Sequence, residues 1–143
     1  MEQSQKFQLK LRIYQKAIQS FFETLQIDLE SFDLIVQDAI KNGRIQKFEY
    51  TTEMTWKLIK KYLYIYHKID ARSPTQSVKE FFNIGMIAQS TYEDILRMLE
   101  MRNRLSHIYR EENFEEIHDK LNHYYQIMEN VESVITKDIE KEN

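Results

Sequence analysis

Apolar residues recur along most of the chain at three- and four-residue spacing, the period that lines one face of an α-helix. Phe7, Leu11, Tyr14, Ile18, Phe21, Phe22 and Leu25 predict a first amphipathic helix from about Gln5 to Gln26. Ser31 reads as the N-cap of a short second helix carrying Phe32, Leu34, Ile35 and Ile40, with Asn42-Gly43 as its stop. A near-heptad stripe of Ile45, Phe48, Thr52, Trp56, Ile59, Leu63 and Tyr66 predicts a third helix from about Arg44 to Lys68, with Trp56 in the core.

Ser73-Pro74-Thr75-Gln76 combines an N-cap serine, a proline at the first helical position and a glutamine three residues after the cap. It opens a fourth, short helix that runs to about Ile84 and ends at Gly85. Ser90-Thr91-Tyr92-Glu93 repeats the capping logic for a fifth helix. Asn113, with Glu116 three residues on, opens a sixth, whose stripe is Ile117, Leu121, Tyr124, Tyr125, Met128, Val131 and Ile135, and the charged tail after Lys137 is expected to fray. The fold class that follows is all-α: an antiparallel up-and-down helical bundle of four long helices plus two short ones.

Composition sharpens this picture. The 143 residues are 42% hydrophobic with only two glycines and one proline, which suits one domain spanning residues 1–143 built of long helices. A net charge of −3 argues against coating nucleic acid by bulk electrostatics, although local basic patches stay possible. Without cysteine there is no disulfide framework, thiolate metal site or cysteine nucleophile. The polar N-terminus lacks a signal-peptide core, and the longest uncharged run, Phe81 to Tyr92, is too short to span a bilayer, so a cytoplasmic location without membrane contact is expected. The surplus of Phe and Tyr suggests aromatic surface left over for a dimer interface.

One stretch stands out, Glu100 to Arg110, which reads Glu-Met-Arg-Asn-Arg-Leu-Ser-His-Ile-Tyr-Arg. The stripe Tyr92, Ile95, Leu96, Leu99 leads into positions held by Asn103 and Ser106, with Arg102 on one flank and His107 on the other. Burying such groups unpaired costs several kcal/mol, so this face is expected to meet water, a partner or a ligand. Arg102 and His107 lie five residues apart, about 7.5 Å along a helix, and can border one shallow cleft. From the residues alone, an interhelical polar network is an equally good account of the pair. His67, His118 and His123 show no metal-ligand pattern and read as surface or interface residues, Glu49, Glu53 and Lys57 read as a solvated pair network, and neither a metal nor a cofactor is expected.

With these residues laid out, the chain resembles the HEPN superfamily and, within it, the nucleotidyltransferase substrate-binding proteins. The resemblance rests on Ile45 to Tyr50 with Glu53 and Trp56-Lys57, on Ser73-Pro74, and on Met98 to Tyr109, where arginine, four intervening residues, histidine and a tyrosine two further on match the superfamily motif. It implies a helical bundle that pairs into a homodimer and is encoded with a separate minimal nucleotidyltransferase, the two acting as toxin and antitoxin. The chain has no Gly-Ser followed by an Asp-x-Asp pair, so it would be the helical partner and not the transferase.

Two functions from different classes follow. In the first the chain is a metal-independent ribonuclease toxin acting on RNA. His107 serves as acid or base, Arg102 stabilises charge on the phosphoryl group, and Asn103 and Ser106 support or bind substrate. The resemblance further implies that the transferase silences this toxin by placing AMP on Tyr109. In the second the chain is a non-catalytic nucleotide- or substrate-binding subunit of a two-chain nucleotidyltransferase complex, and the same residues bind phosphate without chemistry.

Overall fold

The structure is a computed structural model that describes residues 2–107 and 110–141, the side chains at 106, 107 and 110–113 excepted. Its elements are α1 (Gln3–Leu25), a 3-10 turn (Leu29–Ser31), α2 (Leu34–His67), α3 (Pro74–Asn83), α4 (Gln89–His107), α5 (Arg110–His118) and α6 (Leu121–Lys141). The all-α class stands, with four long helices and two short ones, but one of the short helices differs from expectation. No described helix is long and apolar enough to cross a membrane.

The predicted second and third helices are one continuous helix of 34 residues. Ser31 does not cap it; its hydroxyl donates to Asp28. Asp33 is the N-cap, accepting from the Val36 amide at 2.9 Å. Asn42 stays helical by donating its side-chain amide to the Asp38 carbonyl, and Gly43 does not adopt the left-handed conformation of a stop. A helical glycine costs only about 1 kcal/mol relative to alanine, and tertiary contacts next to it outweigh that. The buried guanidinium of Arg44 donates to the carbonyls of Thr24 (2.9 Å) and Ile27 (3.0 Å), closing the open end of α1, and to His118 Nε2 at 3.2 Å. Ahead of Arg44 the helix overhangs the bundle, leaving Leu34 and Ile35 80% and 83% exposed instead of packed.

The predicted sixth helix divides into α5 and α6 at a turn, Asp119-Lys120, with Ile117 and Leu121 buried on either side of it. Its tail does not fray at Lys137: Ile139 is buried and Asp138 accepts a hydrogen bond from Tyr62. The fourth helix ends as anticipated. Gly85, at φ 84°, completes a Schellman closure in which its own amide bonds Phe82 O and the Met86 amide bonds Phe81 O.

Contacts between helices give the topology. Phe7 meets Tyr62 and Tyr66, Tyr14 meets Thr55, and Arg44 meets Thr24, so α1 and α2 run antiparallel. Tyr14 with Met128 and Phe21 with Tyr125 set α6 antiparallel to α1 and hence parallel to α2. Arg104 with Glu116 and His123 with Asp94 show α5 and α6 returning along α4. At the centre Tyr14 donates to the Met128 carbonyl and shares a hydrogen bond of 2.9 Å with Thr55, tying α1, α2 and α6 together. Burial holds the Tyr14 phenol neutral, far above its usual titration range. The aromatic surplus goes mostly into this core; Phe32, Tyr50 and Tyr64 are the large aromatics left exposed among the described residues.

Two predictions concern α2 and its contacts. A Cβ at Gly43 meets nothing within 4 Å, so Gly43→Ala should raise the unfolding free energy in urea by about 0.5–1 kcal/mol; a loss would mean that the chain bends there. The second concerns His118, whose pKa is lowered first by burial and then by the Arg44 and Lys41 charges, so folding favours neutral imidazole. That contribution is complete above the ordinary histidine value of about 6.5 and is lost as pH falls below it toward the folded-state value. Denaturation of His118→Gln should therefore show a shallower decline between neutral pH and pH 5 than the parent protein, and equal slopes would refute the assignment.

Candidate functional site

α4 brings the singled-out residues to the bundle surface with a register that differs from the expected one. Its buried face runs through Ile95, Met98, Leu99, Met101 and Leu105, while Tyr92 and Leu96 are only partly covered. The apolar stripe therefore does not turn polar at Asn103; it passes through the methionines and Leu105. Asn103 stands at the exposed edge. Arg102 falls within the core-facing arc but at the bundle's rim, its side chain 28% exposed.

The Arg102 guanidinium lies against α2, its Nε 3.4 Å from Glu53 Oε2. The other oxygen of the same carboxylate is 3.9 Å from Lys57 Nζ, which in turn lies over the Trp56 ring, 5.8 Å from its centroid. Two cations thus share one anion. Arg102, Asn103 and Leu99 from α4, Glu53 and Trp56 from α2, and Pro74 and Thr75 from the start of α3 line a cleft of about 290 Å3. The first turn of α3 adds the partial positive charge of a helix N-terminus, and Ser73 caps that turn by accepting from the Gln76 amide. A guanidinium, a side-chain amide, a hydroxyl and an indole around one opening are suited to hold a phosphate with an attached ring.

Of the predicted site residues, Arg102 and Asn103 share this cleft. The side chains of Ser106 and His107, and the whole of Tyr109, lie outside the described residues; the backbone of His107 ends α4, five residues beyond Arg102. Glu53, Trp56, Pro74 and Thr75 were not foreseen at the site. Trp56 in particular is not sealed in the core but partly exposed on the cleft wall. The hint available was that Glu53 and Trp56 lie three residues apart, on one helical face, and are themselves among the residues that carry the family resemblance.

The remaining histidines are engaged elsewhere. Tyr62 shares a hydrogen bond with His67 at 2.9 Å, and His123 pairs with Asp94 at 3.4 Å. Glu115, His118 and Asp119 bring ligand atoms within 4.8 Å of one another, but Arg44 already donates to His118 and Lys41 pairs with Glu115 at 3.6 Å, a setting that disfavours an added cation.

No curated protein matches the chain. A crystal structure of a protein from Thermus thermophilus matches it with a TM-score of 0.74 at 24% identity, covering 85% of this chain and 98% of that one, a likeness of fold alone. Residues 9–137 match the family described as nucleotidyltransferase substrate binding protein like, a span that runs from within α1 to within α6 and includes the Arg102 cleft. By that match the chain belongs to the nucleotidyltransferase substrate-binding-protein-like family.

Proposed function

We propose that this chain is a HEPN-type toxin of a toxin-antitoxin pair: a metal-independent endoribonuclease, cytoplasmic and homodimeric, silenced by AMP transfer from a cognate minimal nucleotidyltransferase. The observation that supports this reading most is the Arg102 guanidinium at the wall of an open cleft, held by a carboxylate that a phosphate can displace, on the helix that ends in His107. A scissile phosphate drawn to Arg102 exchanges Glu53 for a stronger, two-pronged partner. The adjacent ribose 2′-hydroxyl then attacks phosphorus while a base takes its proton, charge builds on the non-bridging oxygens beside Arg102, and the P–O5′ bond breaks as an acid protonates the leaving oxygen. Imidazole titrates in the range that serves either proton transfer. One motif histidine per chain leaves the second role to the His107 of a paired copy, which is the mechanistic reason for a homodimer with the motifs at its interface.

Silencing follows from the same charge logic. The phenol oxygen of Tyr109 attacks the α-phosphorus of ATP held by the transferase, its proton passes to a base there, and pyrophosphate leaves. The AMP phosphate then stands one residue pair from His107, carries a negative charge and competes for Arg102. The family description favours a second reading, a non-catalytic subunit that holds a nucleotide or substrate for the transferase, with Arg102 and Trp56 as the holding groups.

Cleavage assays on highly purified protein separate the two. His107→Ala should lower RNA cleavage by about 10²–10⁴-fold while leaving RNA affinity within a few-fold; equal cleavage by both proteins supports the binding subunit. Tyr109→Phe should still cleave RNA but no longer accept AMP from the transferase, and label retained at that site rules the acceptor out. Glu53→Gln should bind a 2′-O-methyl RNA ten-mer several-fold more tightly than the parent, whereas Arg102→Ala should lose about tenfold or more, the worth of a charged hydrogen bond; weaker binding by Glu53→Gln would make Glu53 a ligand and not a placeholder.

A further inference from the structure

Beyond the Arg102 cleft, α1 and α2 leave an apolar slot of about 220 Å3 lined by Lys10, Ile13 and Tyr14 on one side and Met54, Lys57 and Leu58 on the other. Ile13 is 46% exposed there, and Leu9, one turn earlier on α1, is 44% exposed. Lys10 stands on one wall and Lys57 on the other. Tyr14, committed to Thr55 and Met128, supplies only its ring.

The slot does not stand apart from the cleft. Lys57 is 3.9 Å from one oxygen of Glu53 while Arg102 is 3.4 Å from the other, so a single carboxylate separates the two openings. A path from Arg102 to the slot passes a guanidinium, the Glu53 carboxylate, the Lys57 ammonium, an apolar recess and Lys10. Within the slot itself, an apolar recess between two lysines complements what a single nucleic-acid strand presents, a flat ring between two phosphates. At about 220 Å3 the slot is smaller than the roughly 300–1,000 Å3 of a drug-sized pocket, and it suits one planar ring system.

We infer that this slot is a base-binding subsite for single-stranded RNA, taking a base that neighbours the phosphate at Arg102, with Lys10 and Lys57 on the flanking phosphates. The inference rests on the proposed reading of the Arg102 cleft and extends it along the strand. The lysine on each wall draws the strand in, and the aliphatic faces of Ile13, Met54 and Leu58 make the subsite tolerant of base identity, since every base offers an apolar face.

Fluorescence anisotropy with a 2′-O-methyl RNA ten-mer, which lacks the attacking hydroxyl, tests the slot; calorimetry with 2′-O-methyladenosine 3′-monophosphate tests the cleft alone. Ile13→Glu, a change at a half-exposed position, should weaken the ten-mer by about tenfold, the scale of one lost base contact, and leave the mononucleotide unchanged. Lys10→Ser should reduce the slope of log affinity against log salt by about 0.7, one single-strand phosphate contact. Parental ten-mer binding by both variants overturns the inference. So does loss of transferase binding by Ile13→Glu with ten-mer affinity intact, which would make the slot a protein dock. If Ile13→Glu weakens the ten-mer but Arg102→Ala leaves the mononucleotide unaffected, the slot stands as an RNA subsite and the phosphate role of Arg102 falls.

Discussion

The uninterrupted length of α2 is the constraint on which the rest of the molecule depends. Among the described residues it is the one helix that packs on α1, α3, α4, α5 and α6 alike, and its inward face changes character along its length. In its first half, buried Arg44 donates to the carbonyl of Thr24, in the last turn of α1, and to that of Ile27, just past it. In its middle, Thr51, Thr52 and Thr55 are fully buried small side chains, and Thr51 returns its hydroxyl to the Lys47 carbonyl. Toward its end, Ile59, Tyr62 and Leu63 fill the aromatic-rich core. The hydrogen bonds among Tyr14, Thr55 and Met128 tie α1 and α6 to α2 here, whereas the hydroxyl of Thr52 is buried without a hydrogen-bond partner, a cost the surrounding packing carries.

The cleft inherits its geometry from that arrangement. Glu53 follows Thr52, whose side chain points into the core, and therefore emerges at the rim where α4 crosses. Its contact with Arg102 joins two partly exposed side chains, although the Nε that makes it is itself buried, and partly exposed pairs are worth about 0–1 kcal/mol in general. Such a pair orients a guanidinium without locking it, and a doubly bonded phosphate can replace it. A buried pair would have been costly to break and would have closed the opening.

Much of the fold was legible from hydrophobic period and capping residues: α1, α3 with its serine-proline start and Gly85 end, and the body of α4 and α6. The boundary between the second and third helices was misread because Asn42-Gly43 carries a local stop signal, whereas the decisive contacts, Arg44 to Thr24, Ile27 and His118, join residues far apart in sequence. The split of α5 from α6 left no glycine or proline to mark it. At the candidate cleft, Arg102 and Asn103 were residues the sequence had singled out from motif spacing. Glu53, Trp56 and Thr75 were not, because only packing brings α2 and α3 to α4. The stripe through α4 was centred on Leu99, but Met98 and Met101 belong to the core face, which moves Arg102 inward and Asn103 outward.

The central claim is that Arg102 is a phosphate-binding group kept oriented by a carboxylate it can surrender. Nitrogen-15 NMR of the Arg102 Nε–Hε resonance during titration with 2′-O-methyladenosine 3′-monophosphate tests it most directly. The account predicts a saturable shift of that resonance, with the same end point in Glu53→Gln as in the parent protein. A resonance that stays unmoved while the ligand binds elsewhere would contradict it.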